Sequence, residues 1–526
     1  MTADSQEQAR DLLLAIDNGT QSVRALLFDL QGNLLAKSRV ELEPYTVSEP
    51  GWAEQDVDYY WQGVCAACQQ LWPEIGDAKQ RIAGMALTTQ RATVINLDER
   101  GEPLRPAITW LDQRREYKLP PIGYGWDALL KMVGQAGMIR FFRSEAESNW
   151  IRLNQPEIWE KTHKYLLLSG YISYKLCGEF VDSTASQVGF VPFDYRRQRW
   201  SHRWSWKWPA TGIKASQLPE LIAPGSMLGK VSAAAARETG LPAGLPIIAA
   251  AADKACEIVG SGCLTPDIGA ISYGTTATVN TTSQKYVEAI PFLPAYPSAI
   301  KGAYCTEIQV FRGFWMVNWF KKQFGMPEVE EAKRSGVPPE LLFDKLIENI
   351  PPGSMGLMLQ PYWTPGVKVP APEAKGAIVG FGDVHTRAHI YRAILEGLAF
   401  ALREGGERIE KRSGIKITSL RVSGGGSQSD KVMQITADVF GLTVQRPHTY
   451  ETSGLGAAID AAVGLGFYPD FEQAISNMTR PGESFEPEPA AHRIYEQLYR
   501  EVYCKMYGRL SPLYRAIARI TGYPRL

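Results

Sequence analysis

Two apolar runs, residues 12–16 and 23–28, flank a short polar turn, Asp17-Asn18-Gly19-Thr20-Gln21-Ser22, and the pattern predicts a β-hairpin. Asn18-Gly19 tolerates positive φ, which suits a tight reversal. The alternation continues as a β-meander over 12–45 with a second turn at Gln31-Gly32-Asn33, and helical spacing follows over 57–72. Strands are expected at 82–88 and 93–97. The hairpin pattern then returns at 269–280, where an apolar strand meets a Gly274-Thr275 turn and a β-branched strand leaves it. An apolar strand over 245–252 runs into the lone carboxylate of Asp253. Further helices are predicted at 315–324, 389–410 and 431–440, and a strand at 420–423 opens into Gly424-Gly425-Gly426. A small-residue helix starts at 451–458 and runs through Val463. The tail, 492–520, reads as an amphipathic helix with Tyr495, Leu498, Val502 and Met506 at helical intervals, interrupted near Ser511-Pro512.

The chemistry sits at the turns. Backbone N–H groups following Gly19, with Thr20, Gln21 and Ser22, suit an anion, and Asp17 at the strand end suits Mg²⁺ held through water. Taken alone, the segment also fits an ordinary Asn-Gly turn; the second copy favours a duplicated phosphate-binding unit. Two such units facing each other would bring both turns to one cleft, the arrangement that the actin, hexokinase and Hsp70 group resembles. The chain divides on this reading into 1–264, 265–490 and a helical extension, 491–526. Between the halves the stretch 145–208 is rich in aromatic rings (Trp150, Trp159, Trp200, Trp204, Trp206 and Trp208), which read mainly as packing, a minority being candidates to face a sugar.

Composition narrows the partners. With 526 residues, 45% hydrophobic and 21% charged, the chain can bury two cores, and 56 Lys+Arg against 56 Asp+Glu give no global field for nucleic acid or an anionic membrane. The first eight residues lack a signal-like apolar run and no later run reaches the roughly 20 residues a membrane helix needs, so a cytoplasmic location is expected. Of seven cysteines only Cys65 and Cys68 are close, with no second pair, and they read as packed thiols in a helix.

The ordered set of motifs resembles the FGGY family of carbohydrate kinases over about residues 12–466. It runs from the first hairpin through Gln90-Arg91, Trp110-Leu111-Asp112-Gln113-Arg114, Asp253 and Tyr273-Gly274-Thr275-Thr276. Gly380-Phe381-Gly382 with His389 and Glu396-Gly397 follow, then Gly424 to Gly426 and Glu451 to Ala458. The resemblance implies an α/β fold of two RNase H-like, actin-like ATPase domains flanking a catalytic cleft. It implies ATP- and Mg²⁺-dependent phosphorylation of a small sugar or polyol, with a homodimer left open. By the same resemblance Asp253 is the base, Asp17 organises Mg²⁺, and Thr20, Gln21 and Arg24 contact the phosphate tail. Gly274 and Thr275 hold phosphate from the second half; Gly313, Gly425, Gly426 and Ser429 border the adenosine; Arg91, Trp110, Asp112 and Asn149 join Asp253 at the acceptor. Arg24 has the alternative of an ion pair, Asp253 that of a helix cap, and Arg91 and Asp112 that of pairing with each other.

Three positions depart from relatives. Ala92 follows Arg91 where glycerol kinases carry a glutamate, which argues against glycerol and for a larger acceptor, a ketopentose such as xylulose or ribulose ahead of a tetritol or pentitol. Glu147-Ser148-Asn149-Trp150-Ile151 has a glutamate and no lysine before the tryptophan, and Lys254 directly follows the expected base. An actin- or Hsp70-like nucleotide switch and a catalytically silent sugar-binding regulator are the alternatives.

Overall fold

The computed structural model describes residues 10–523 except 44, 50, 124, 133, 135, 338, 365 and 367–369; the polar first eight residues lie outside the described residues. Two sheets dominate. The first contains β1 (Leu12–Asn18), β2 (Ser22–Phe28), β3 (Leu34–Glu41), β4 (Ile82–Thr89), β5 (Met227–Lys230) and β6 (Pro246–Ala252), in the order β5-β6-β4-β1-β2-β3. The second contains β7 (Ile268–Tyr273), β8 (Ala277–Ser283), β9 (Tyr296–Pro297), β10 (Tyr304–Val310), β11 (Ser419–Ser423), β12 (Val444–Pro447) and β13 (Pro481–Phe485), in the order β9-β10-β8-β7-β11-β12-β13.

The duplication expected from the hairpins extends to whole sheets. In the first, β1-β2-β3 are antiparallel, with β4 and then β6 added in parallel beyond β1. In the second, β7-β8-β10 are antiparallel, with β11 and then β12 added in parallel beyond β7. Parallel strands need crossovers. Accordingly α1 (Val57–Ile75) joins β3 to β4 and packs on β2 and β3, while α3 (Arg387–Ser413) joins β10 to β11 and packs on β8 and β10. Because β1 and β7 are central and covered on both faces, they are apolar almost throughout.

Two helices depart from simple chain order. The helix α2 (Asp253–Gly260) leaves β6, and α5 (Thr452–Gly464) packs against it and against β1, β4 and β6 of the first sheet, although it follows β12 of the second. The crossing is close because glycines meet backbone: a Cβ on Gly260 would lie 2.0 Å from the Thr452 carbonyl oxygen, and one on Gly456 2.0 Å from that of Cys256. At the C-terminus, α6 (Pro489–Gln497) and α7 (Cys504–Thr521) join through a π-turn at Leu498–Tyr503. The break expected near Ser511-Pro512 is absent: Pro512 lies within α7. The π-turn shifts the buried stripe, so Tyr495, Tyr499, Tyr503 and Met506 join the core of the second sheet while Val502 faces out. No described helix is long and apolar enough to cross a membrane.

Candidate active site

The start of α2 lies near the end of β1 and near the second turn: the charge of Asp253 acts on Asp17, and a Cβ on Gly274 would stand 3.9 Å from Lys254 Nζ. The first turn is made by residues 19–21, with the Gly19 N–H donating to the Ser22 carbonyl oxygen at 3.0 Å. Contrary to expectation neither Asn18 nor Gly19 uses positive φ; the lack of a Cβ at Gly19 instead leaves space above Asp17, whose Oδ1 would be 3.9 Å away. Asp17, at the end of β1, is buried, and burial together with the charges of Asp253, Glu451 and Glu257 pushes its carboxyl up to about 6 despite Arg24. Arg24, Lys37, Arg91 and Lys254 pair with these four carboxylates, and Asp17 is the one that burial leaves with a carboxyl raised to about 6. Among the described residues no group of three or more His, Cys, Asp or Glu side chains is placed to hold a metal ion.

Arg24 forms an ion pair. Its Nη1 donates to Glu451 at 2.8 Å and lies 3.3 Å from Asp17, so its guanidinium ties β2 to the start of α5, while 30% of the side chain stays exposed. The Thr20 hydroxyl is likewise engaged, accepting from Trp110 Nε1 at 2.9 Å and donating to Gln90 Oε1 at 2.9 Å; Gln21 is exposed. At the second turn Gly274 is half-buried and Thr275 exposed, while their carbonyls accept from the N–H groups of Phe314 and Trp315 at 2.9 and 3.3 Å.

Asp253 is the first residue of α2 and keeps 29% of its side chain exposed, open to a ligand. It makes no side-chain cap on the helix beyond accepting the Lys254 N–H at 2.7 Å. Burial raises its pKa against the opposing pull of Arg91 and Lys254. Arg91 Nε stands 4.0 Å from its Oδ1 and has no hydrogen-bond partner, although that atom is buried. Arg91 Nη1 donates to both oxygens of Glu307 at 3.1 Å, and the guanidinium lies over the Tyr296 ring. Glu307, on β10 of the other sheet, was not singled out from sequence, since no spacing relates a strand carboxylate to an arginine 216 residues earlier. Ala92 adopts φ 51°, a left-handed conformation uncommon for a residue with a side chain.

Asp112 and Asn149 have their polar atoms engaged by protein partners. Asp112 does not pair with Arg91: its oxygens accept from the Ala53 N–H and from Arg114, whose guanidinium stacks between Trp52 and Trp150 at 4.0 and 4.6 Å. Asn149 is fully buried, donating to the carbonyls of Arg143 and Ala210 and accepting from Arg152, so its amide is satisfied inside the protein. Burial raises the neighbouring Glu147 carboxyl to about 8. Trp150, Trp159, Trp200 and Trp208 surround one apolar cluster, in line with a packing role, and only Trp204 is largely exposed.

On the adenosine side, Gly313 and Gly426 face protein: Cβ atoms there would lie 2.2 Å from Ala277 N and 2.3 Å from the Phe314 ring. Ser429 accepts the Val432 N–H as the cap of α4 (Asp430–Phe440) and donates to Asp344. Gly425 is exposed with open space at its Cβ position. Cys65 and Cys68 are unpaired thiols on α1; burial pushes Cys65 up to about 12 and Cys68 higher still, which leaves both as inert packing groups.

Known proteins share the sequence pattern and the fold. Residues 12–260 match the FGGY family of carbohydrate kinases, N-terminal domain, and residues 269–465 its C-terminal domain. The chain is 29% identical over 508 residues to a xylulose kinase of Lactococcus lactis subsp. lactis (strain IL1403), covering 95% of this chain and 97% of that one. It is 28% identical over 505 residues to an uncharacterized sugar kinase of Escherichia coli (strain K12), covering 94% and 93%. The crystal structure of xylulose kinase from Rhodospirillum rubrum aligns with a TM-score of 0.79 at 26% identity, covering 96% of this chain and 100% of that one.

Proposed function

We propose that this chain, which belongs to the FGGY family of carbohydrate kinases and is a sugar or polyol kinase, phosphorylates a ketopentose from ATP with Asp253 as general base. The observation that carries the reading is the group formed by Asp253, Arg91 and Glu307, with an unpartnered Arg91 Nε facing the partly exposed carboxylate of Asp253. A sugar hydroxyl there would accept from Arg91 and give its proton to Asp253. A neutral hydroxyl attacks phosphorus weakly, and a carboxylate that removes its proton as the bond forms lowers the barrier. The O–P bond to the acceptor forms, the bond from the γ-phosphorus to the β–γ bridging oxygen breaks with its electron pair leaving on ADP, and the proton ends on Asp253.

Asp17 would hold Mg²⁺ through water, and the ion would offset charge on the phosphate tail when bound. Half-buried Gly274 and exposed Thr275 and Gly425 are the backbone positions proposed for the nucleotide. Ala92 leaves room where a glutamate would contact glycerol, which supports an acceptor longer than glycerol, and the xylulose kinase relatives point the same way. The grouping of Asp253 and Arg91 with Glu307 from the second sheet argues for a kinase over a nucleotide switch.

ADP release with Mg-ATP across pentuloses, tetritols, pentitols, hexuloses and glycerol tests the reading. Strong stimulation by a pentulose, with glycerol at least tenfold poorer in kcat/KM, is expected. Glycerol as the best acceptor would overturn the substrate class, and a panel without any stimulation despite nucleotide binding would favour the switch or the silent regulator.

A further inference from the structure

Lys254 is a cation that the acceptor reading does not use. It follows the proposed base on α2, yet its side chain turns away from Asp253 and toward the second sheet. There Nζ donates to Glu257 Oε2 and to Ser272 Oγ, each at 2.6 Å. Glu257 is itself held from β7 and β11, accepting from Ser272 and Ser423 at 2.8 Å each. This fixes the ammonium at the junction of the two halves. Two of its three N–H bonds are spent, 23% of the side chain stays exposed, and a Cβ on Gly274 would stand 3.9 Å from Nζ. The missing side chain of Gly274 thus leaves the ammonium open to the second turn. Glu257 and Asp253 both favour its charged form against burial.

We infer that Lys254 is a catalytic residue of the transfer itself, its remaining N–H donating to a non-bridging oxygen of the γ-phosphoryl group as that group passes from the second turn to the acceptor beside Asp253. The step rests on the reading of Asp253 as base. The acceptor oxygen bonds to phosphorus, the bond to ADP breaks, the acceptor proton goes to Asp253, and Lys254 keeps all of its protons. Negative charge in the transition state is spread over the equatorial oxygens, and a donor already fixed at that place stabilises it without reorganising. A lysine held by a carboxylate and a serine loses little further freedom in doing so. The competing role is purely structural, that of counter-ion to the buried Glu257.

A double variant separates the two. Lys254→Met is expected to lower kcat about 10²-fold with the acceptor KM within threefold and ADP affinity unchanged. Lys254→Met/Glu257→Gln removes both charges, so a counter-ion role predicts recovery of kcat to within threefold of wild type, whereas direct action on the phosphoryl group predicts that kcat stays as low as in the single variant. Lys254→Arg keeps Glu257 paired; it is expected to hold the melting temperature and to recover kcat at least tenfold over Met while staying at least threefold below wild type. Should the Met variants not fold, a Lys254→Arg protein of unchanged melting temperature with kcat at least threefold below wild type supports the inference, and one equal to wild type overturns it. Recovery in the double variant, or a loss confined to acceptor KM, also overturns it. Asp253→Asn measured alongside keeps the two readings apart: an active Asp253→Asn variant removes the base, while an inactive one beside a fully active Lys254→Met variant removes this inference alone.

Discussion

Arg91 lies between two carboxylates from opposite halves of the chain, Asp253 at 4.0 Å and Glu307 at 3.1 Å. The Glu307 side chain is only 6% exposed, so neutralising it would leave the Arg91 charge buried with a weaker partner. Glu307→Gln is expected to raise the acceptor KM at least tenfold while ATP KM changes less than threefold, as measured by steady-state kinetics with each substrate varied in turn. A rise in ATP KM alone would contradict its placement at the acceptor. Which residue types carry chemistry was legible in the chain; where their side chains point was less so. Asp253 and Arg91 come together as read, while Asn149 and Ser429 are polar residues in fitting places whose hydrogen bonds are spent inside the protein. Sequence does not say whether a glycine faces a ligand or a neighbour, and Gly313 and Gly426 face neighbours.

The elements were legible where periodicity is strong. The helix expected over 315–324 is observed as Trp315–Phe324, and that expected over 431–440 as Asp430–Phe440. The tail misled because a π-turn adds a residue to the repeat and rotates the buried face from Val502 to Tyr499 and Tyr503. Helix α5 carries a cost of its own. Asp460 is fully buried, neither of its carboxylate oxygens has a hydrogen-bond partner, and burial raises its pKa well above the ordinary carboxylate value. The folded state therefore keeps a proton that the unfolded state releases. Its contribution is full below the ordinary carboxylate pKa and falls by about 1.4 kcal/mol for each pH unit from there up to the raised pKa. Asp460→Asn is expected to be more resistant to urea than wild type at pH 7.5, with the gap closing toward pH 4, in equilibrium unfolding at both values. An equal gap at both pH values would contradict the charge-burial account.

Across the whole molecule, ties link the halves at the candidate site: Arg91 to Glu307, Lys254 to Ser272, and Glu257 to Ser423. Each joins α2 or the segment after β4 to a strand of the second sheet, so motion of one half would shift acceptor and phosphate groups together, the behaviour expected of a cleft that closes on its substrates. The duplicated hairpins made the doubled architecture legible. That α5 returns to the first sheet was not, because it depends on packing between glycines distant in the chain. Transfer beside Asp253 underlies the proposed reaction. The most direct measurement is rapid-quench formation of phosphorylated acceptor by wild type and Asp253→Asn, with the best acceptor and Mg-ATP saturating and ADP affinity measured on both. The account predicts a first-turnover rate at least about 10²-fold slower in the variant with ADP affinity within threefold. A first turnover as fast as wild type would contradict it.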